Sequence, residues 1–221
     1  MDFLPILKLL MEGMGTSVSI FLLTLLFSIP LGFLICFGRM SKNPVVRTIV
    51  RIYISIMRGT PLMLQLFVVF FGPYYFFGIS LSVFGPNWRF IAVIIGFALN
   101  YAAYFAEIYR SGIESMPVGQ YEAAKVLGFS KKQTFVRIIL PQVIRRILPT
   151  MANEIITLVK DTSLAYAIGV VEMFTQAKLI AASLTSLVPF IAAGLFYFIF
   201  NYVVAFIMER FEKHYSYYDI K

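Results

Sequence analysis

The constraint that dominates this chain is the length of its uncharged stretches: no charged residue stands between Glu12 and Arg39, which is ample for a helix of about 20 residues crossing a hydrocarbon layer of roughly 30 Å. Such a stretch excludes an ordinary soluble core. Composition agrees. Of 221 residues 60% are hydrophobic and 14% charged, and the mean hydropathy is +0.83, far more apolar than a soluble domain.

Five spans are expected. The first lies between Glu12 and Arg39. The second falls in the uncharged stretch from Arg58 to Arg89 and ends near Phe77, because Gly72-Pro73 and Gly85-Pro86 interrupt it. Phe90 to Ala106 forms the third. A polar segment from Glu107 to Arg146 precedes a fourth span, Ile147 to Val171, which carries Glu154, Lys160 and Asp161. After a loop around Gln176 to Val188, the run to Met208 forms the fifth. Leu4, Leu7, Leu10 and Met11 are spaced helically and are expected along the membrane interface. The start lacks a basic segment and a small-residue cleavage site, so the first run reads as a retained span, not a signal peptide. No repeat, linker or low-complexity tract appears, so residues 1–221 read as one all-α transmembrane domain.

The net charge of +8 points to topology, since the basic residues lie between apolar spans and form no basic, aromatic-laced face for nucleic acid. Five Lys and Arg, and no acid, occupy Arg39 to Arg58; seven follow span three; Arg210, Lys213 and Lys221 lie in the tail. Those fifteen share one side. The positive-inside rule therefore places the N-terminus outside and both the 111–146 loop and the C-terminus in the cytosol. Cys36 and His214 are the sole cysteine and histidine, which leaves no disulfide, no Cys-His pair and no multi-ligand metal site.

The cytoplasmic loop carries Glu122-Ala123-Ala124, then Gly128, then Ile138-Ile139-Leu140-Pro141. It resembles the EAA loop of ABC importer permeases at every defined position. A short helix from about Gly119 to Leu127, closed by Gly128, suits the loop, because glycine tolerates the left-handed conformation that ends helices. Glu122 in its first turn would favour the helix dipole. Three further elements, Arg58-Gly59-Thr60-Pro61-Leu62 with Gln65, Ala106 to Ile113 continuing through Pro117 and Gln120, and Lys160-Asp161-Thr162-Ser163-Leu164, are similar to the polar amino-acid branch associated with histidine and glutamine uptake. They cover roughly residues 20 to 210.

The resemblance implies a bacterial inner-membrane permease that pairs with a second or related permease, receives an amino acid from an external solute-binding protein, and seats its coupling helix on a separate ATPase. Glu122, Ala123, Ala124 and Gly128 are then the coupling residues. ATP and Mg would be bound by that partner, since this chain has no G-x-x-x-x-G-K-[ST] loop. It would hold no cofactor of its own and would not be an enzyme; H-E-x-x-H and G-x-S-x-G are also absent. A stand-alone secondary transporter is the rival, weakened by the lack of an internal repeat.

A carboxylate near the bilayer centre costs at least about 2.5 kcal/mol and therefore faces a cavity or a partner. Glu154 and Asp161 are seven residues apart and share a helical face with Thr157 and Leu158, while Asn153 and Lys160 share the adjacent stripe. This excess of acid favours arginine, lysine or histidine as cargo, with Lys160 available to the substrate carboxylate. Asn100, Tyr104, Gln65 and Ser163 complete the candidate pathway residues. Interhelical hydrogen bonding is the competing role for these polar groups, and glutamine, glutamate or cystine are the alternative cargoes.

Overall fold

A computed structural model describes residues 3–216, and side chains from 6 to 215. Among the described residues all regular structure is helical. Helix α1, Phe3–Arg39, runs without interruption for 37 residues, about 55 Å at 1.5 Å per residue. The expected separation of an interfacial leader from span one is thus not found. Leu10 is fully buried, and with Ile6 it packs against Met173, Ala177, Ile180 and Ala193, so the leader continues the span because later helices cover it. Leu4, Met1 and Lys221 lie outside the residues described at side-chain level.

Helix α2, Pro44–Gly59, begins where Asn43 accepts a hydrogen bond from the Val45 amide at 2.9 Å, a cap that contributes about 1 kcal/mol. It meets α3, Leu62–Phe77, at an angle of 113°. The elbow follows from Pro61: a residue before proline is driven out of the helical region, and Thr60 is extended at φ −123° and ψ 148°. The expected end at Phe77 is met, with Gly78 supplying a left-handed residue at φ +66°.

Helix α4, Trp88–Glu114, is the spine. Its interior is rich in alanine and glycine, which lets neighbouring backbones come close. A Cβ on Gly32 of α1 would stand 2.8 Å from Cβ of Phe105 and 3.0 Å from the Ala102 carbonyl oxygen, and one on Gly112 would collide with Ile147.

The loop helix α5 spans Val118–Val126, and Gly128 follows at φ +77°. Its first turn holds no acid; Glu122 sits one turn further in, so its interaction with the helix dipole is weaker than expected. A three-residue helix α6, Lys131–Gln133, starts in a capping box of Ser130 and Gln133. Six residues of π-helix, Thr134–Ile139, then lead into α7, Leu140–Asp161.

Beyond α7 a 3-10 segment, Thr162–Ile168, ends at Gly169, φ +78°. The chain turns by 59° into α8, Met173–Leu184, and α9, Val188–Ser216, closes the fold. Two expectations change here. The fourth helical run begins well before Ile147, and most of the supposed loop from Gln176 is helix. Gln176 and Lys178 read as loop residues, yet Ala177, Ile180 and Ala181 form a buried stripe on the same helix. Among the described residues three helices are long and apolar enough to cross a membrane, or up to five if each bent pair counts as one span.

Candidate functional site

Arg58 ends α2, Tyr101 and Tyr104 lie one turn apart on α4, and Glu154 and Asp161 lie two turns apart on α7. The fold brings these five together. Tyr101 is buried and donates its hydroxyl to Asp161 Oδ2 at 2.7 Å. The Arg58 guanidinium lies 5.2 Å from the Tyr104 ring centroid, and both Arg58 and Asp161 act electrostatically on Glu154. Asn153, Thr157 and Lys160 are exposed along the same side of α7, with Thr157 donating back to the Asn153 carbonyl at 2.9 Å. Ser163 donates to the Lys160 carbonyl at 2.8 Å. Chemically the patch offers two carboxylates, an arginine, a lysine and an aromatic wall.

Two expected members stand elsewhere. Gln65 and Asn100 are buried behind the elbow. Gln65 Nε2 lies 3.0 Å from the Met57 carbonyl, 3.1 Å from the Thr60 carbonyl and 2.9 Å from the Thr60 hydroxyl. Asn100 Nδ2 donates to the Met57 carbonyl at 3.0 Å and to Gln65 Oε1 at 2.9 Å. These amides brace the turn that presents Arg58.

Sequence reasoning missed two groups. Arg58 entered only as part of a motif. Glu172 did not enter at all, although it is fully buried. It caps α8 by accepting from the Phe174 amide at 2.7 Å and the Thr175 amide at 2.8 Å. It also accepts from the Thr175 hydroxyl at 2.9 Å and from Tyr197 of α9 at 2.9 Å. Ser17 of α1 lies 3.5 Å away and accepts from the Met173 amide at 3.3 Å. A helix N-terminus with convergent donors is a natural seat for a carboxylate. The signal in the sequence was an acid directly before an apolar helical stripe, hidden by the loop-like composition after it.

On the loop, Glu122 and Ala123 are exposed and Ala124 is buried. Val126 and Leu127 present apolar side chains to the outside at 87% and 73% exposure, an area that a partner surface would cover. Partial burial raises the Tyr121 phenol above its ordinary range.

An all-helical, multi-pass membrane protein with a protruding loop helix is the class this geometry defines. Residues 28–217 match the model of the family described as "Binding-protein-dependent transport system inner membrane component", and the chain belongs to that family. It is therefore a membrane component of a transport system and not an enzyme. It is 40% identical to the L-cystine transport system permease protein TcyL of Bacillus subtilis (strain 168), covering 95% of this chain and 85% of that one. The putative glutamine transport system permease protein GlnP of Rickettsia typhi is 32% identical over 96% of this chain and 94% of its own.

Among solved structures, one described as "Crystal structure of an amino acid ABC transporter with histidines" matches with a TM-score of 0.85 and 30% identity, covering 97% of this chain and 99% of that chain. An inward-facing MetNI methionine ABC transporter shares the fold, with a TM-score of 0.71 at 18% identity and coverage of 96% and 98%.

Proposed function

We propose that this chain is the translocation subunit of an ATP-driven amino-acid importer in a bacterial inner membrane, with basic amino acids as cargo. It pairs with a second permease and crosses the membrane five times, each bent pair of helices counting as one span, with the N-terminus outside. Glu122, Ala123, Ala124 and Gly128 face a separate ATPase, which binds ATP and Mg. An external solute-binding protein delivers the amino acid.

The observation that carries the cargo assignment is the half-buried pair Glu154 and Asp161, with Arg58 acting on Glu154 and lying over the Tyr104 ring. Arg58 and Lys160 suit the substrate carboxylate, and Arg58 adds a fixed planar donor that ion pairing with a carboxylate exploits. Two acids then remain for the α-ammonium and a cationic side chain, with Tyr104 as a cation-facing wall. The histidines that accompany the solved amino-acid transporter favour this reading. A second reading has support too: the names of the cystine and glutamine permeases favour a cargo without a cationic side chain, for which the same groups hold the zwitterionic end alone.

Uptake and ATPase stimulation in liposomes holding the full importer test the choice, with arginine, glutamine and cystine as cargo and Glu154→Gln as the variant. Arginine-driven activity that falls at least about tenfold in the variant, the cost of one lost charge-assisted contact, supports the cationic site. Transport of glutamine or cystine but not arginine removes it and leaves the permease role standing.

A further inference from the structure

We infer that Gln120 and Gln142 form a clasp through which movement of α5 reaches the helix carrying Glu154 and Asp161, an inference that rests on α5 being the ATPase-facing helix. The two side-chain amides bond reciprocally: Gln120 Nε2 donates to Gln142 Oε1 at 2.8 Å, and Gln142 Nε2 donates to Gln120 Oε1 at 2.8 Å. The second hydrogen of Gln142 Nε2 goes to the Ile138 carbonyl at 2.7 Å. That third bond fixes which atom of Gln142 is nitrogen and ties its amide to the last turn of the π-helical stretch, while the backbone of Gln142 itself belongs to α7. A pair in which both groups donate and both accept resists sliding as well as separation.

Few other contacts tie α5 to the body of the protein: the linker that enters it is held by Met116, buried in the core, and by Arg146 of α7, which donates to the Ser115 carbonyl at 3.3 Å. Its end bonds are local, from the Gln120 amide to the Pro117 carbonyl at 3.1 Å and from the Phe129 amide to the Ala124 carbonyl at 3.0 Å. Ala124 is its one buried residue, and a methyl group in a socket limits approach without setting direction. Among the described residues, the side-chain hydrogen bonds that leave α5 are the two between Gln120 and Gln142.

The route along the backbone is the softer one. It passes Gly128, the three-residue α6 and the π-helical stretch Thr134–Ile139, whose wider turn is less well bonded than α-helix. Gln142 lies past that stretch, in the first turn of α7. The clasp therefore bypasses the compliant segment. From Gln142 the helix rises about 18 Å to Glu154 at 1.5 Å per residue, and it continues as one helix through Pro149, so a displacement at the loop is passed toward the polar patch. Gln120 and Gln142 are positioning residues: they touch neither nucleotide nor amino acid.

The test uses the complete importer in liposomes and reads ATP hydrolysed per amino acid taken up, with co-purification of the ATPase as the assembly readout. Gln120→Leu and Gln142→Leu are each expected to raise that ratio about tenfold, the size of effect that losing a pair of neutral hydrogen bonds allows, while assembly and basal hydrolysis persist. Gln120→Lys combined with Gln142→Glu replaces the amide pair by an ion pair across the same gap. This double variant is expected to restore the native ratio.

An unchanged ratio in both leucine variants overturns the clasp, and so does a double variant that assembles but stays uncoupled. Should the leucine variants fail to assemble, the double variant alone decides by the same criterion. Glu122→Ala and Ala123→Asp on the outer face of α5 separate the clasp from the role it rests on. If these leave ATPase binding intact, the ATPase-facing role of α5 fails. If they abolish it while the leucine variants stay coupled, only the clasp fails.

Discussion

Helices α4 and α9 are both apolar and long enough to cross a membrane, yet 67% of the most apolar window of α4 is buried and only 11% of that of α9. Hydropathy does not separate them; what packs against each does, since α4 buries the rings of Phe97, Tyr101 and Phe105 as well as small residues. The buried face of α4 runs through Ala92, Gly96, Ala102, Ala103 and Ala106, where neighbouring backbones approach closely enough for dispersion and weak polar contacts to act. The outer face of α9 carries Ile191, Leu195, Phe198 and Tyr202, at 60% exposure or more. Exposed apolar side chains of this kind suit lipid or a second subunit. A helix of that kind needs another means of attachment, and α9 has one in the bond from Tyr197 to Glu172.

The contrast can be broken by substitution. The largest effect is expected for Glu172→Leu, which leaves two amides and the Tyr197 hydroxyl without their acceptor; about 3 kcal/mol or more of stability should be lost. Unfolding in mixed micelles measures it, and an unchanged midpoint would show that α9 is anchored elsewhere. Next is Gly32→Ala. Its Cβ meets both a side chain and a backbone oxygen of α4, so a loss of about 1–3 kcal/mol is expected from overpacking.

Tyr197→Phe removes one donor from a buried carboxylate that keeps its others, and a smaller loss of about 1–2 kcal/mol should follow in the same assay. The smallest effect belongs to Gly194→Ala on α9, where an added Cβ meets nothing within 4 Å. Here the sign should reverse, with a gain of up to about 1 kcal/mol from helix propensity. A loss comparable to that of Gly32→Ala would mean that the α9 face is packed against another subunit, and the comparison would then describe two interfaces.

Much of this architecture was legible as uncharged length. The stretch before Arg39, the end of α3 near Phe77 and the short loop helix closed by Gly128 follow from charge spacing and from glycine. The α7 face was legible in part: seven residues bring Glu154 and Asp161 back to one side, with Thr157 exposed, whereas Leu158, expected on the same face, is fully buried in the core. What stayed hidden depends on who meets whom. Gln65 and Asn100 have the chemistry of pathway residues, and only the elbow reveals that their amides are already engaged. Arg58 joins the acids because α2 folds across α4, a relation between elements that no local pattern carries. Helix α8 was obscured because Gln176, Lys178 and Thr185 resemble a loop, while the cap that starts the helix needs Ser17 and Tyr197 from the two ends of the chain.

The braced elbow at Thr60-Pro61 has a genetic consequence. Because the tip of α2 is held by amides on α3 and α4, the placement of Arg58 depends on positions buried behind the elbow. A screen for altered cargo preference should therefore return substitutions at Gln65 and Asn100 together with those at Glu154. These distant alleles should change which amino acid is accepted without changing how much protein reaches the membrane.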